Sequence, residues 1–438
     1  MNKIEARLLA GLALAAAVPA HATNGYFSHG YGTQSKAMAG TGVALSLDAL
    51  APATNPAAIA FTGDRNDIGL GLFSPVRSYE VSGQPSGACA SQTQCTFGIG
   101  PQSIESDAEY FPIPHLGLTR KIDEHSAWGM AIYGNGGMNT RYKGGTATFG
   151  APTPPVPPGS SVTAPGTFGD GTAGVDLIQL FIATTYAREF APGASWGIAP
   201  IFAYQRFEAR GLGNFAPFSS DPQHLSDNGH DDAYGGGVRI GIQAAVTDQL
   251  RVGASYQSRI YMTEFKDYAG LFAEQGDMDI PSNATLGLAL DATPALTVAF
   301  DVQYIAYSEI KAVGNSMLPN LATAQMGDDN GAGFGWDDMT IYKLGARWKA
   351  SDDLSWMAGY SYGEQPIPDS EVLFNVLAPG VIEQHFTVGL VSTLFGHEVS
   401  ASLMYAPEKT VSGTNPLDPA QTIDLKMYQT ELEFNFAF

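Results

Sequence analysis

From Arg65 to the terminal Phe438 the chain repeatedly alternates apolar with polar or small side chains, in stretches of roughly ten residues with the two-residue period of a strand whose faces differ. The last stretch is the clearest. Tyr428, Thr430, Leu432, Phe434, Phe436 and Phe438 fall on one face, and Met427, Gln429, Glu431, Glu433, Asn435 and Ala437 on the other. The same split sets Val238, Ile240, Ile242 and Ala244 against Arg239, Gly241 and Gln243, and sets Val298, Phe300, Val302 and Tyr304 against Asp301 and Gln303. Alternation alone suits a soluble sandwich as well as a barrel in a bilayer. Two further features favour the barrel. Aromatic residues gather at segment ends (Trp196, Tyr261, Tyr307, Tyr342, Trp348, Trp356), as interfacial girdles do. The connections also alternate in length, short near Asp123, Pro192, Thr247, Thr293, Asp352 and Phe395 and long in between. About fourteen strands follow, beginning near Arg65, Glu109, Ala127, Gly174, Trp196, Tyr234, Arg251, Asn283, Leu296, Met339, Leu354, Val381, His397 and Asp424. After residue 22 no apolar stretch reaches the ~18 residues of a membrane helix, so any crossing is made by strands. The expected fold is all-β, a transmembrane antiparallel β-barrel of about 14 strands with its lumen plugged from the N-terminal side.

Asp and Glu number 43 against 22 Lys and Arg, a formal charge of -21 that repels phosphate backbones and excludes nucleic-acid binding. Lys3 and Arg7 precede the apolar run Leu8 to Val18, followed by Ala20-His21-Ala22, so residues 1–22 read as a secretory signal peptide. Export to an oxidising compartment makes a local disulfide the expected state of Cys89 and Cys95, in preference to a metal site. Residues 23–63 lack the alternation and are rich in small side chains, and a barrel wider than eight strands leaks unless occupied. They are expected to be a hatch, with the barrel spanning 64–438.

The hatch segment, ending in Asn55-Pro56-Ala57, resembles that of the FadL and TodX family of outer-membrane transporters for long-chain fatty acids and aromatic hydrocarbons. Trp128-Gly129-Met130-Ala131 with Gly134-Asn135-Gly136-Gly137 resembles the family's third strand and its kink, and Gly363-Glu364-Gln365-Pro366-Ile367-Pro368-Asp369 its late Pro-x-Pro loop. Terminal Phe438, with Phe434 and Phe436, is similar to the signal read by the barrel-assembly machinery. The resemblance implies passive uptake of hydrophobic compounds and their sideways release into the outer membrane of a Gram-negative bacterium. Arg210 lies one position from where fatty-acid-binding members place a carboxylate-binding arginine. Ala312 to Trp336 carries no Lys or Arg, which departs from those members and leaves neutral hydrocarbons open.

If the hairpin at Asp123-Glu124 is in simple register, Pro112 and Pro114 fall opposite Gly134 and Asn135. The ladder should fail at Pro112, Pro114, Gly134, Asn135, Gly136 and Gly137, leaving either a wall gate or a β-bulge with no transport role. Leu212, Phe215, Phe218 and Leu225 in one long loop and Tyr268, Leu271, Phe272 and Met278 in another form a receiving groove or pack the loops together. Tyr26 and Phe27 of the hatch, with Leu177 and Phe181, line an inner pocket. Inward charges (Arg239, Arg251, Arg259, Asp301, Lys343, Arg347, Glu431, Glu433) are expected to pair across the lumen and hold the plug. Gly359-Tyr360-Ser361-Tyr362-Gly363 matches a hydrolase nucleophile elbow but lies in an alternating strand, so no enzyme is expected. The Pro-rich stretch from Ala151 to Pro165 reads as a stiff polyproline loop. Expected partners are hydrophobic small molecules, outer-membrane lipid and lipopolysaccharide, and the barrel-assembly machinery, with a monomer and no cofactor. An adhesin or structural barrel with surface-binding loops is the other function class, and it requires neither hatch nor gate.

Overall fold

The computed structural model describes residues 24–89, 95–150, 160–394 and 396–438; the signal peptide read in residues 1–22 lies outside them. Fourteen antiparallel strands close a barrel: β1 Arg65–Ser82, β2 Phe111–Lys121, β3 Ser126–Asn139, β4 Gly174–Ala191, β5 Ala194–Arg210, β6 Asp231–Ala245, β7 Leu250–Gln257, β8 Asn283–Thr293, β9 Leu296–Ile305, β10 Met339–Lys349, β11 Leu354–Gly363, β12 Gln384–Leu394, β13 His397–Thr414 and β14 Thr422–Ala437. β14 closes on β1, from Asp67 opposite Ala437 to Ser82 opposite Thr422. Short turns such as residues 192–193 and 294–295 share one rim with both ends of the barrel, and the long connections form the other.

The pleat explains the alternation. Leu286, Val388, Phe434 and Leu70 stand more than half exposed on the outer face, where lipid replaces water, while Gln429, Glu431 and Glu433 turn inward and are buried. Trp196, Tyr261, Tyr342, Trp348 and Trp356 are exposed on the outer face as expected. Tyr307 is not. It is wholly buried, because its ring packs on hatch residues and its hydroxyl receives the Tyr26 N–H at 3.2 Å. The strand expected near Val381 begins at Gln384; Val381 and Ile382 are buried in the apolar core under the long connections, which overrides their strand propensity.

Two other expectations need correction. Part of the Pro-rich loop is a strand: Ser161–Pro165 pairs antiparallel with Thr146–Gly150, which in turn pairs with Phe97–Ile99, forming a small sheet outside the barrel. Its polar residues alternate with Val162 and Ala164, and Thr148 and Thr163 hydroxyls lie 2.8 Å apart across the ladder. Arg259 lies beyond the end of β7, in an outer loop, and pairs with Asp279 at 2.6 Å, outside the lumen. Cys89 and Cys95 are joined by a disulfide. Gly359 to Gly363 lies within β11, with no turn or helix to make an elbow.

Residues 24–64 fill the lumen. No residue from Asn24 to Ala60 is exposed, although only short helical turns (Thr33–Ala37, Ala51–Ala53, Pro56–Ala58, Ile59–Thr62) order the segment. Such turns cannot stabilise themselves, so the wall must hold them.

Candidate functional site

Hatch and wall meet through charge and through clearance. Lys36 reaches Glu431 at 2.5 Å and Glu433 at 2.6 Å, all three buried, and Thr33 donates to Glu433 at 2.7 Å. Burial alone would push the Lys36 ammonium down, but the two glutamates reverse that and keep it charged. Asp301 accepts the backbone N–H groups of Gly42 at 2.8 Å and Val43 at 3.0 Å, and Lys343 donates to the His29 carbonyl at 3.0 Å. The Arg239 guanidinium donates to the Ala53 carbonyl. Five of the inward charges, Glu431, Glu433, Asp301, Lys343 and Arg239, therefore grip hatch backbone or its lysine directly. Arg251 instead pairs with Asp291 of the wall at 2.8 Å.

Clearance comes from glycine. At the inward positions Gly117, Gly197, Gly241, Gly253, Gly345 and Gly359 a Cβ would lie within 2.6 Å of hatch atoms. These residues escaped the sequence reading; the available signal was glycine recurring on the lumen parity of several strands. In Asn55-Pro56-Ala57 the Asn55 side chain accepts the Ala57 N–H at 3.0 Å and donates to the carbonyls of Val43 at 2.6 Å and Ile242 of β6 at 2.9 Å. One asparagine thus caps a helical turn, with proline suited to its first position, and ties the hatch to the wall.

The seam between β2 and β3 differs from the rest of the wall. Its ladder runs from Lys121 opposite Ala127 to Leu116 opposite Ile132 and stops. Continued, that register would set Pro114 against Gly134 and Pro112 against Gly136. β2 stays paired with β1 through this region, from Leu70 opposite Pro114 to Phe73 opposite Phe111. β3 stays paired with β4 but skips Asn135 as a bulge between Gly134 and Gly136. The backbone groups freed there turn to the hatch: Ser28 donates to the Asn135 carbonyl at 2.9 Å, and Gly137 donates to the Tyr26 carbonyl at 3.0 Å. The Asn135 side chain is buried, accepting from Tyr31 at 2.7 Å and donating to Gln179 at 2.8 Å. At Gly136 a Cβ would lie 1.7 Å from the Tyr26 carbonyl oxygen, so only glycine fits.

The aromatic residues gather in two places. Tyr26 and Phe27 pack on Tyr307 with ring centroids 5.0 and 5.9 Å apart, and Tyr26 on Trp336 at 5.8 Å. Phe181 packs on Tyr133 beside the bulge at 5.7 Å; Leu177 is buried on the same strand. Under the long connections, Phe215, Leu271 and Phe272 line an apolar cleft with Phe207, Phe334 and Phe374. The cleft holds about 30 Å³ of free space, enough for a water or two, so a hydrocarbon must displace its rings. Met278 is buried nearby in the same core, while Phe218 is 46% exposed and stands outside the cleft. Arg210 forks onto Glu208 two residues away, at 2.8 Å through Nε, and does not line the cleft. At the other rim Leu45, Leu47, Phe61, Arg251 and Arg347 line an open vestibule of about 370 Å³.

Residues 195–389 match the family model described as outer membrane protein transport protein (OMPP1/FadL/TodX). No curated protein sequence matches the chain. Among solved structures, a Pseudomonas aeruginosa FadL homologue aligns with a TM-score of 0.65 at 14% identity, covering 94% of this chain and 99% of its own. The Pseudomonas putida toluene transporter TodX aligns at 0.61 and 17%, covering 94% and 99%. The Ralstonia pickettii toluene transporter TbuX aligns at 0.60 and 16%, covering 93% and 98%. At such identities the alignments establish the fold, a closed barrel of fourteen strands, and of the sequence motifs the family match over residues 195–389 includes the Gly363 to Asp369 loop. The chain has the fourteen-stranded β-barrel fold of these outer-membrane transporters, and its residues 195–389 resemble the FadL/TodX family.

Proposed function

We propose that this barrel takes up hydrophobic compounds passively from outside the cell, long-chain fatty acids or hydrocarbons, and releases them sideways into the outer membrane between β2 and β3. The observation that carries the reading is the ladder that ends at Leu116 and Ile132 while the hatch occupies the groups β3 has freed. Neither proline has an N–H to offer β3, and the Gly-Asn-Gly-Gly run has little side-chain bulk to fill the wall. A solute leaving there never crosses water. The apolar cleft under the long connections receives it, and the toluene transport named for TodX and TbuX supports an apolar cargo. A surface adhesin would need neither the buried hatch nor the interrupted ladder, and the family's channels give no reason to expect catalysis.

The test replaces Gly134 by Val and, in a second variant, by Ile, and leaves Gly136 and Gly137, which meet the hatch. The β-branched side chains favour extended geometry and add bulk at the seam. Uptake of labelled decane or decanoate into cells should fall at least roughly tenfold, while binding to each purified variant stays within about twofold. A correctly inserted variant that binds and still transports at the wild-type rate would refute release at this seam.

A further inference from the structure

The Arg77 side chain of β1 is buried, 4% exposed, and makes no ion pair among the described residues. Both of its hydrogen bonds leave Nη1, to the carbonyls of Asn139 at 2.7 Å and Ala108 at 3.4 Å, and its guanidinium carbon stands 6.0 Å from the centre of the Phe111 ring. Arg239 gives the comparison. It too is buried, but Nη1 and Nη2 both serve, on the hatch carbonyls of Ala53 and Thr54 and on Gln257 of the wall, which leaves only Nε without a partner among the described residues. Among the described residues Nη2 and Nε of Arg77 have no protein acceptor, and the side chain lines a cavity of about 20 Å³ with Gly25, Gly137, Met138, Trp336 and Met427. A buried guanidinium without a counter-charge is costly, and a carboxylate offers both the charge and a pair of acceptors matched to its fork.

The cavity's place in the fold says what would bring that carboxylate. Gly25 belongs to the hatch and Gly137 to the interrupted strand, while Ala378 lines this cavity and Leu377 the apolar cleft. It therefore lies between the receiving cleft and the seam. We infer that Arg77 receives the anionic head of an amphipathic cargo, a carboxylate on an apolar body, on its way from the cleft to the seam. About 20 Å³ admits a head group only, so the body stays among Trp336, Met138, Met427 and the rings of the cleft. This rests on the transport reading and selects acids from the cargo it allows. It also moves the head site away from Arg210, which is held by Glu208.

Binding to the purified full-length barrel is measured for decanoate, methyl decanoate, 4-methylbenzoate and methyl 4-methylbenzoate. At least one acid should bind more tightly than its ester near neutral pH, and the difference should vanish below about pH 4, where the ligand is protonated. Arg77→Gln should weaken that acid roughly ten- to hundredfold and its ester less than about twofold, and Arg77→Lys should recover part of the loss. Met138→Glu, which sets a carboxylate beside Arg77 without removing it, should abolish the preference for acid. Equal binding of acid and ester by the wild type, or an equal loss of both in Arg77→Gln, would reduce Arg77 to a clamp on two carbonyls and overturn the inference alone. If none of the four compounds bound the wild type, the transport reading would fall with it.

Discussion

The ladder between β14 and β1 runs from Asp67 opposite Ala437 to Ser82 opposite Thr422 without a shift, whereas that between β2 and β3 covers only Leu116 to Lys121. Proline alone does not explain the difference. Pro75 sits inside the intact seam, opposite Gln429, and the pairing continues on both sides of it. There the partner strand is a strict alternation with full side chains, Tyr428, Leu432 and Phe434 outward and Gln429, Glu431 and Glu433 inward. At β2 and β3 the prolines face a run of glycines, a bulge draws Asn135 inward, and hatch backbone supplies the lost partners. A wall seam opens when one strand lacks donors, the other lacks bulk, and a third segment satisfies the groups left over.

The comparison can be broken most severely at the third segment. Deleting Asn24 to Phe61 should leave a barrel that inserts but carries a large, ion-unselective conductance in planar bilayers, because the filling of a lumen wider than side chains can close has gone. Unchanged conductance would show that the loops, and not the hatch, seal the barrel. Next in size is Lys36→Met, which leaves Glu431 and Glu433 buried without their cation. Thermal unfolding followed by heat-modifiable migration should report a loss of about 3–5 kcal/mol, and adding Glu431→Gln and Glu433→Gln should return much of it. Gly136→Val should cost about 1–3 kcal/mol and loosen the hatch at Tyr26 and Phe27, seen as protease sensitivity there, while Gly134→Val should spare it.

The smallest effect lies outside the membrane. Burial, then the charge of Asp279, hold the Asp277 carboxyl well above the usual carboxylate range. Its ionisation is therefore harder in the folded loop than in the unfolded chain, so stability is greatest at low pH and falls as pH rises through the folded value. Asp277→Asn should strengthen the loop of residues 258–282 against proteolysis at pH 8, by about 1 kcal/mol after allowing for its partial exposure, and change little at pH 4.

What could be read from the sequence was whatever depends on local period. The faces of β14 and the register that sets Pro114 toward Gly134, where the ladder has already stopped, follow from alternation and one short turn. What could not be read depends on partners far apart in the chain. Nothing near Lys36 announces Glu431 and Glu433, and the apolar Val381 reads as strand although it serves the core beneath the loops. Tyr307 shares the chemistry of a girdle tyrosine, and only the hatch above it decides that it faces inward. Arg77 has the parity of a lumen charge, but its lack of a counter-ion is visible only once its neighbours are placed.

Release at the seam is tested most directly by marking the path itself. A tritiated alkyl diazirine, allowed to cross the protein in outer-membrane vesicles and then activated by light, should label Pro112, Pro114, Tyr133 and the hatch residues Tyr26 and Phe27. Leu45, Leu47 and Phe61, which line the vestibule at the opposite rim, should stay unlabelled. Label on those three with none at the prolines would mean that the cargo passes through the hatch into the periplasm and would contradict sideways release.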